Sequence, residues 1–183
     1  MNFEGKIAVI TGSSAGIGAE AAKKITSLGG RVTINYSKSK EAAEGVAHEC
    51  SQLGAAPLII KADIASDEGC KHLIDTSFNE FKAINILINN AGRTKFADHS
   101  NLDALQRDDF ENILALNLNS NYELIKHARP HLAKNKKSSI VNISSVAGLR
   151  GLGSSVAYAA SKGALNSMTL ALSRSLGPDG IRV

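Results

Sequence analysis

Residues Ile7–Ala8–Val9–Ile10–Thr11–Gly12–Ser13–Ser14–Ala15–Gly16–Ile17–Gly18 decide the fold. Four apolar residues run into a glycine-rich loop, and an Ala-rich segment of helical period follows as far as Gly29–Gly30, which can cap its end. Strand, glycine loop and helix in that order predict the first βα turn of a dinucleotide-binding domain. Gly12 permits a tight turn, while Gly16 and Gly18 lack the Cβ atoms that would keep a pyrophosphate and the helix away from the strand. The helix amino terminus then faces the phosphates, with Ser13, Ser14 and Ile17 completing the predicted contacts. Small residues at such spacing also serve plain helix–strand packing, and it is the position in the first βα turn that favours phosphate.

Outward from that turn, further short apolar runs at Val32–Tyr36, Leu58–Ala62, Ile84–Ile88 and Ile140–Ile143 alternate with helix-length segments, the last spanning about Ser155 to Leu176. Continuously hydrophobic strands separated by helices predict right-handed βαβ units, and hence a doubly wound α/β domain with a parallel sheet covered on both faces. The three prolines, Pro57, Pro130 and Pro178, fit turns or helix ends. One domain is expected for residues 1–183. After the Gly177–Pro178–Asp179–Gly180 breaker, Ile181–Arg182–Val183 reads as the start of a sixth strand, so the sheet is expected to be truncated there.

Composition narrows the function classes. The chain has 183 residues, 43% hydrophobic and 21% charged, as an ordinary soluble domain has. Its formal charge of +4 is spread along the sequence apart from the short Lys134–Lys137 stretch, and aromatic residues are only 4%, which argues against nucleic-acid binding. Met1 to Lys6 lacks the pattern of a signal peptide, and no apolar run is long enough to cross a bilayer, so no membrane association and a cytoplasmic location are expected. Cys50 and Cys70 stand apart, without metal or redox spacing, and predict buried thiols, no metal site and a reducing compartment.

The strand ends carry the cofactor reading. A carboxylate at the end of strand two accepts hydrogen bonds from an unmodified ribose. Here the segment is Asn35–Tyr36–Ser37–Lys38–Ser39–Lys40, whose hydroxyls and lysines suit a 2′-phosphate, so NADP(H) is favoured over NAD(H). The alternative is that Lys38 and Lys40 merely open a solvated helix. Asp63–Ile64 follows strand three and Asn89–Asn90–Ala91–Gly92 follows strand four. Asp63 can accept from an adenine amino group or make an N-cap or Asx-turn, and Ala91 and Gly92 let the backbone approach a ribose.

Tyr158 and Lys162 stand four residues apart in the predicted last helix and project from one face. Such a pair is ordinarily a surface pair, but an ammonium beside a phenol, whose ordinary pKa is about 10, favours the phenolate and makes the tyrosine usable as an acid and a base. Carbonyl reduction needs a proton on oxygen as hydride reaches carbon. Strand five ends in Asn142–Ile143–Ser144–Ser145, so a serine hydroxyl can meet the substrate oxygen at the sheet's carboxyl edge; Ser145 is chosen, turn chemistry before Gly148 being the alternative.

Together, TGSSAGIG, NNAG, Ser145 thirteen residues before Tyr158, and YAASK resemble the short-chain dehydrogenases/reductases, with bacterial 3-oxoacyl-(acyl carrier protein) reductases the nearest in pattern. The likeness runs from Lys6 to Val183. It implies a Rossmann-type oxidoreductase acting on a small-molecule carbonyl or alcohol, with Tyr158 as acid/base and Lys162 binding the nicotinamide ribose. Ser145 then orients the carbonyl, and Asn117 holds a water that links the lysine to solvent; by residue type alone, Asn117 reads as a helix-interior asparagine. Asn90 matches the position supporting sheet and ribose, Asp63 the adenine-side aspartate, and Tyr36 the place of the carboxylate in NAD-preferring members. Homo-oligomers, dimers or tetramers, are also implied, pairing through the helices before strand five and after Ser155. The family's nicotinamide-contacting turn and substrate loop lie beyond the matched pattern, so the alternative is a non-catalytic cofactor-binding or oligomerising protein. Arg93, Thr94, Lys95 and Phe96, with Leu149, Arg150 and Leu152, are expected to border the substrate pocket.

Overall fold

The computed structural model describes residues 2–135 and 137–183; Met1, and Lys136 of the short basic stretch, lie outside the described residues. Six parallel strands, β1 Ile7–Ile10, β2 Arg31–Tyr36, β3 Leu58–Lys61, β4 Ile86–Asn89, β5 Ser138–Asn142 and β6 Ile181–Arg182, form one sheet in the order β3-β2-β1-β4-β5-β6. The expected doubly wound α/β architecture is therefore present. The order reverses between β1 and β4, which opens a crevice at the carboxyl ends of those strands, the place where such sheets bind ligands.

Side-chain alternation along the strands feeds two cores. Val9, Leu87 and Ile140 point to one face, where they pack with Leu73 and Ile74 of α3 (Asp67–Phe81), and with Leu124 and Ala128 of α5 (Ser120–Leu132). Ala8, Ile10 and Ile34 point to the other, against Ala22 and Ile25 of α1 (Gly16–Ser27) and Val46 of α2 (Lys40–Leu53). Every β1 residue is buried, so the glycine loop that follows it hangs from the most tightly enclosed strand of the molecule. Ile181 of β6 is buried in the first core, and its strand pairs with Ser138 and Ser139.

Strand four begins two residues later than its apolar run. Asn85 is occupied otherwise, its Oδ1 accepting from the Ile7 N–H at 2.9 Å. Two short helices, α4 (Arg107–Leu114) and α6 (Ala147–Arg150), and the long α7 (Val156–Leu176) complete the chain. Ser155 caps α7 by accepting from the Tyr158 N–H at 3.3 Å. Between α4 and α5 the residues Ala115–Asn119 form a π-helical turn, an insertion that bulges the helix and re-aims its side chains.

Candidate active site

The glycine loop is held by buried polar groups from three strands. Thr11 at the end of β1 accepts from the N–H groups of Asn90 and Ala91 at 2.9 and 3.0 Å. Asn90 returns its Nδ2 to the carbonyls of Thr11 and Gly12 at 2.9 and 3.1 Å, and Asn35 of β2 accepts from the Gly12 N–H at 3.1 Å. Gly12 has φ +58°, and a Cβ there would sit 3.0 Å from Ala91; at Gly18 it would sit 2.6 Å from Asn90 Nδ2. Gly18 is thus a packing requirement, and the loop can close only on glycine. Ser13 is wholly buried; its hydroxyl donates to the Ile10 carbonyl and accepts from the Asn35 N–H, which leaves it off the walls of the cavities.

A cleft of about 400 Å³ runs along the carboxyl ends of β1 to β4, with Gly12 and Ser14 at the loop, Tyr36, Ser37 and Lys38 after β2, Asp63 and Ile64 after β3, and Asn90, Ala91 and Gly92 after β4. The amino terminus of α1 at Gly16 has neither a side-chain cap nor an acidic residue in its first turn, so its N–H groups are free for an anion. The elongated cleft, the glycine cradle and this open helix end suit a dinucleotide. Asp63 makes an Asx-turn, its Oδ1 accepting from the Ala65 N–H at 3.1 Å while the residue keeps its place on the cleft wall; Ser66 supplies the N-cap of α3.

A second cavity of about 500 Å³ adjoins the first at Asn90, Gly92 and Arg93, and Tyr158, Lys162, Ser144 and Ile17 line it. Lys162 is 4% exposed; its Nζ donates to the Ile143 carbonyl at 2.7 Å and lies 5.8 Å from the centre of the Tyr158 ring. Burial pulls the Lys162 pKa below the ordinary lysine value. The tyrosine hydroxyl makes no hydrogen bond among the described residues. Ser144 donates to the Lys162 carbonyl at 3.3 Å, whereas Ser145, which does not line the cavity, accepts from the Ala147 N–H at 3.2 Å. Of the pocket-bordering expectations, Arg93, Thr94 and Phe96 line this cavity; Lys95 is bound instead to Asp109 at 2.6 Å, and Leu149, Arg150 and Leu152 stand off the wall.

Asn117 sits in the π-helical turn, fully buried. Its Oδ1 accepts from the Arg93 N–H at 2.8 Å, and its Nδ2 donates to the Arg93 carbonyl at 2.9 Å and to Ser161 Oγ at 3.0 Å. Ser161 in turn donates to the Tyr158 carbonyl at 2.7 Å. One amide therefore joins the segment after β4 to the turn of α7 that carries Tyr158 and Lys162. Both of its hydrogens are spent, and a single Oδ1 lone pair remains for water. Sequence reasoning missed Thr11 and Ser161, and nothing in their local pattern marks them. Outside both cavities, Asp67, Glu123 and His127 converge, but Lys126 lies among them and the group reads as an ion-pair network.

Comparison with known proteins fits this geometry. The profile of the family described as short chain dehydrogenase matches residues 6–183. A protein of Streptomyces violaceoruber that carries the name of a ketoacyl reductase of the granaticin polyketide synthase is 36% identical over 96% of this chain and 69% of its own length. A short chain dehydrogenase from Burkholderia cenocepacia, solved in complex with NADP, superposes with a TM-score of 0.93 at 35% identity, over 100% of this chain and 73% of that one. The 3-ketoacyl-(acyl-carrier-protein) reductase of Brucella melitensis, complexed with NADH, gives 0.90 at 31% identity, over 100% and 74%. On these findings the chain belongs to the short chain dehydrogenase family of NAD(P)-dependent oxidoreductases.

Proposed function

We propose that this chain transfers hydride between NADP(H) and a carbonyl or secondary alcohol, with Tyr158 as the acid and base, Lys162 and Ser145 as its partners and Asn117 as the residue that positions them. The observation that carries the reading is the shared wall: Tyr158 and Lys162 face a cavity that opens into the glycine-loop cleft at Gly92. When bound, the nicotinamide supplies or accepts the hydride. Tyr158 gives its phenolic proton to the substrate oxygen in reduction and takes one back in oxidation. The Lys162 Nζ lies 5.8 Å from the centre of the Tyr158 ring, and its depressed pKa eases proton exchange. Ser145 suits the substrate oxygen, because its hydroxyl accepts one N–H and retains its hydrogen for donation, while Ser144 has spent its own on Lys162.

Preference for NADP(H) rests on Ser37 and Lys38 at the cleft wall beside Tyr36, where no carboxylate follows β2. Association into a homo-oligomer is supported by a groove between α5 and α7, where Tyr122, Ile125, Pro130, Leu172 and Leu176 lie beside the charged Lys126, Arg129 and Asp179. A cytoplasmic setting agrees with two buried, unpaired cysteines, and among the described residues no helix is long and apolar enough to cross a membrane. The test is isotopic: NADPH deuterated at C4 is incubated with a panel of ketones. Deuterium on the carbinol carbon of the product supports the reading, and NADPH binding without any transfer contradicts it.

A further inference from the structure

The second cavity has an unusual charge balance for a site meant to reduce a neutral ketone. Arg93 and Lys162 both line it, and no carboxylate does among the described residues. Lys162 is anchored on the Ile143 carbonyl and the neighbouring Lys95 is neutralised by Asp109. Arg93 is different: it makes no ion pair among the described residues, and only its main chain takes part in hydrogen bonds. That main chain is held at both its N–H and its carbonyl by the buried Asn117 amide, so the guanidinium stem starts from a rigid point on the wall shared by the two cavities. A fixed stem with a free cationic head is what an anion-recognising arginine requires, since little ordering entropy is then lost on binding. The remaining polar groups nearby, Thr94 and Ser154, are hydroxyls joined at 2.5 Å, and add no negative charge.

We propose that Arg93 determines substrate specificity by pairing with an anionic group, a carboxylate or a phosphate, on the carbonyl substrate. The inference rests on the second cavity being the substrate site. Two cations without a counter-charge, in a concave and partly enclosed space, raise the local positive potential and attract such a substrate. The guanidinium fork then fixes its orientation through charge-assisted hydrogen bonds.

The test uses the full chain saturated with NADPH and two small probes that share the ketone, the anionic acetoacetate and the neutral ethyl acetoacetate. Binding is read by calorimetry and turnover by NADPH oxidation. Acetoacetate is expected to bind at least about tenfold more tightly than the ester, and R93Q is expected to erase that preference while R93K keeps part of it. Equal binding of the probes, a preference for the ester, failure of both to bind, or a preference that survives in R93Q overturns the proposal. So does a rise in the NADPH Kd of R93Q with no change in charge preference, which assigns the arginine to the cofactor phosphates. Absence of turnover with retained, Arg93-dependent selection of acetoacetate would instead contradict the hydride-transfer reading alone.

Discussion

Replacing Asn117 with alanine separates a positioning amide from an ordinary helix residue. The side chain is fully buried and makes three hydrogen bonds, two to the main chain of Arg93 and one to Ser161. Alanine leaves the Arg93 N–H and carbonyl without partners, at about 1–3 kcal/mol each if water is excluded. Arg93 is exposed, so water relieves part of this and the lower half of the range applies. The small cavity adds about 1 kcal/mol. The sum is about 4 kcal/mol, and for a domain of this size it lowers Tm by roughly 8–16 °C. Ser161→Ala removes two neutral bonds, to Asn117 and to the Tyr158 carbonyl, at about 2 kcal/mol in all, and serves as the scale. Calorimetric melts of both variants with and without NADPH, together with kcat on a reducible ketone, check the outcome. The expected pattern is a larger Tm loss in Asn117→Ala than in Ser161→Ala, with kcat falling at least about tenfold and NADPH still bound. A Tm drop no greater than that of Ser161→Ala, or an unchanged kcat, would refute the role given to the amide.

Other consequences follow from the same geometry. Lys162→Met removes a buried cation, so the variant should be inactive and should lack a pH effect seen in the wild type. Because the folded Lys162 pKa lies below 10.5, the unfolded chain binds more protons in the window between the two values, and wild-type stability rises with pH there. Urea midpoints from pH 7 to 10.5 will show that rise flattened in the variant. A Cβ at Gly148 would lie 2.5 Å from the Lys162 carbonyl carbon and 2.6 Å from the Gly163 nitrogen, both main-chain atoms. Gly148→Ala therefore displaces α6 or α7, costs about 1–3 kcal/mol, and should depress kcat more than NADPH affinity. Lys38→Glu puts a carboxylate beside the ribose end of the cleft and should weaken NADPH about tenfold relative to NADH in direct titrations; equal effects on both would count against a 2′-phosphate there.

Much of this was readable from pattern because strands and glycines report local requirements. The apolar runs located all six strands to within two residues, and the doubly wound order followed from βαβ handedness. Gly12, Gly16 and Gly18 marked the tight turn after β1, since Gly12 and Gly16 take positive φ and a Cβ at Gly18 would clash with Asn90. Tyr158 and Lys162 needed helical spacing to share a face and the other motifs to distinguish them from a surface pair. Where the reading ran short, the cause was long-range. Ser13 looks like a loop residue and is instead spent on β2, while Thr11 and Ser161 act through partners 79 and 44 positions away. Asn117 read as a helix-interior residue because a π-helical turn leaves no mark in apolar periodicity. Leu149 and Arg150 on α6, and Leu152 after it, are exposed and stay off the pocket wall, a placement that apolar pattern does not encode.

Tyr158 carries the proposed proton transfer. Tyr158→Phe keeps the ring and its packing, and removes only the hydroxyl, which has no other hydrogen-bond partner among the described residues. Rates of NADPH-dependent ketone reduction should fall by at least about a hundredfold, the scale of a lost general acid, while the NADPH Kd and Tm stay at wild-type values. A variant that reduces the same ketone at a near wild-type rate would contradict the assignment of Tyr158 as the proton donor.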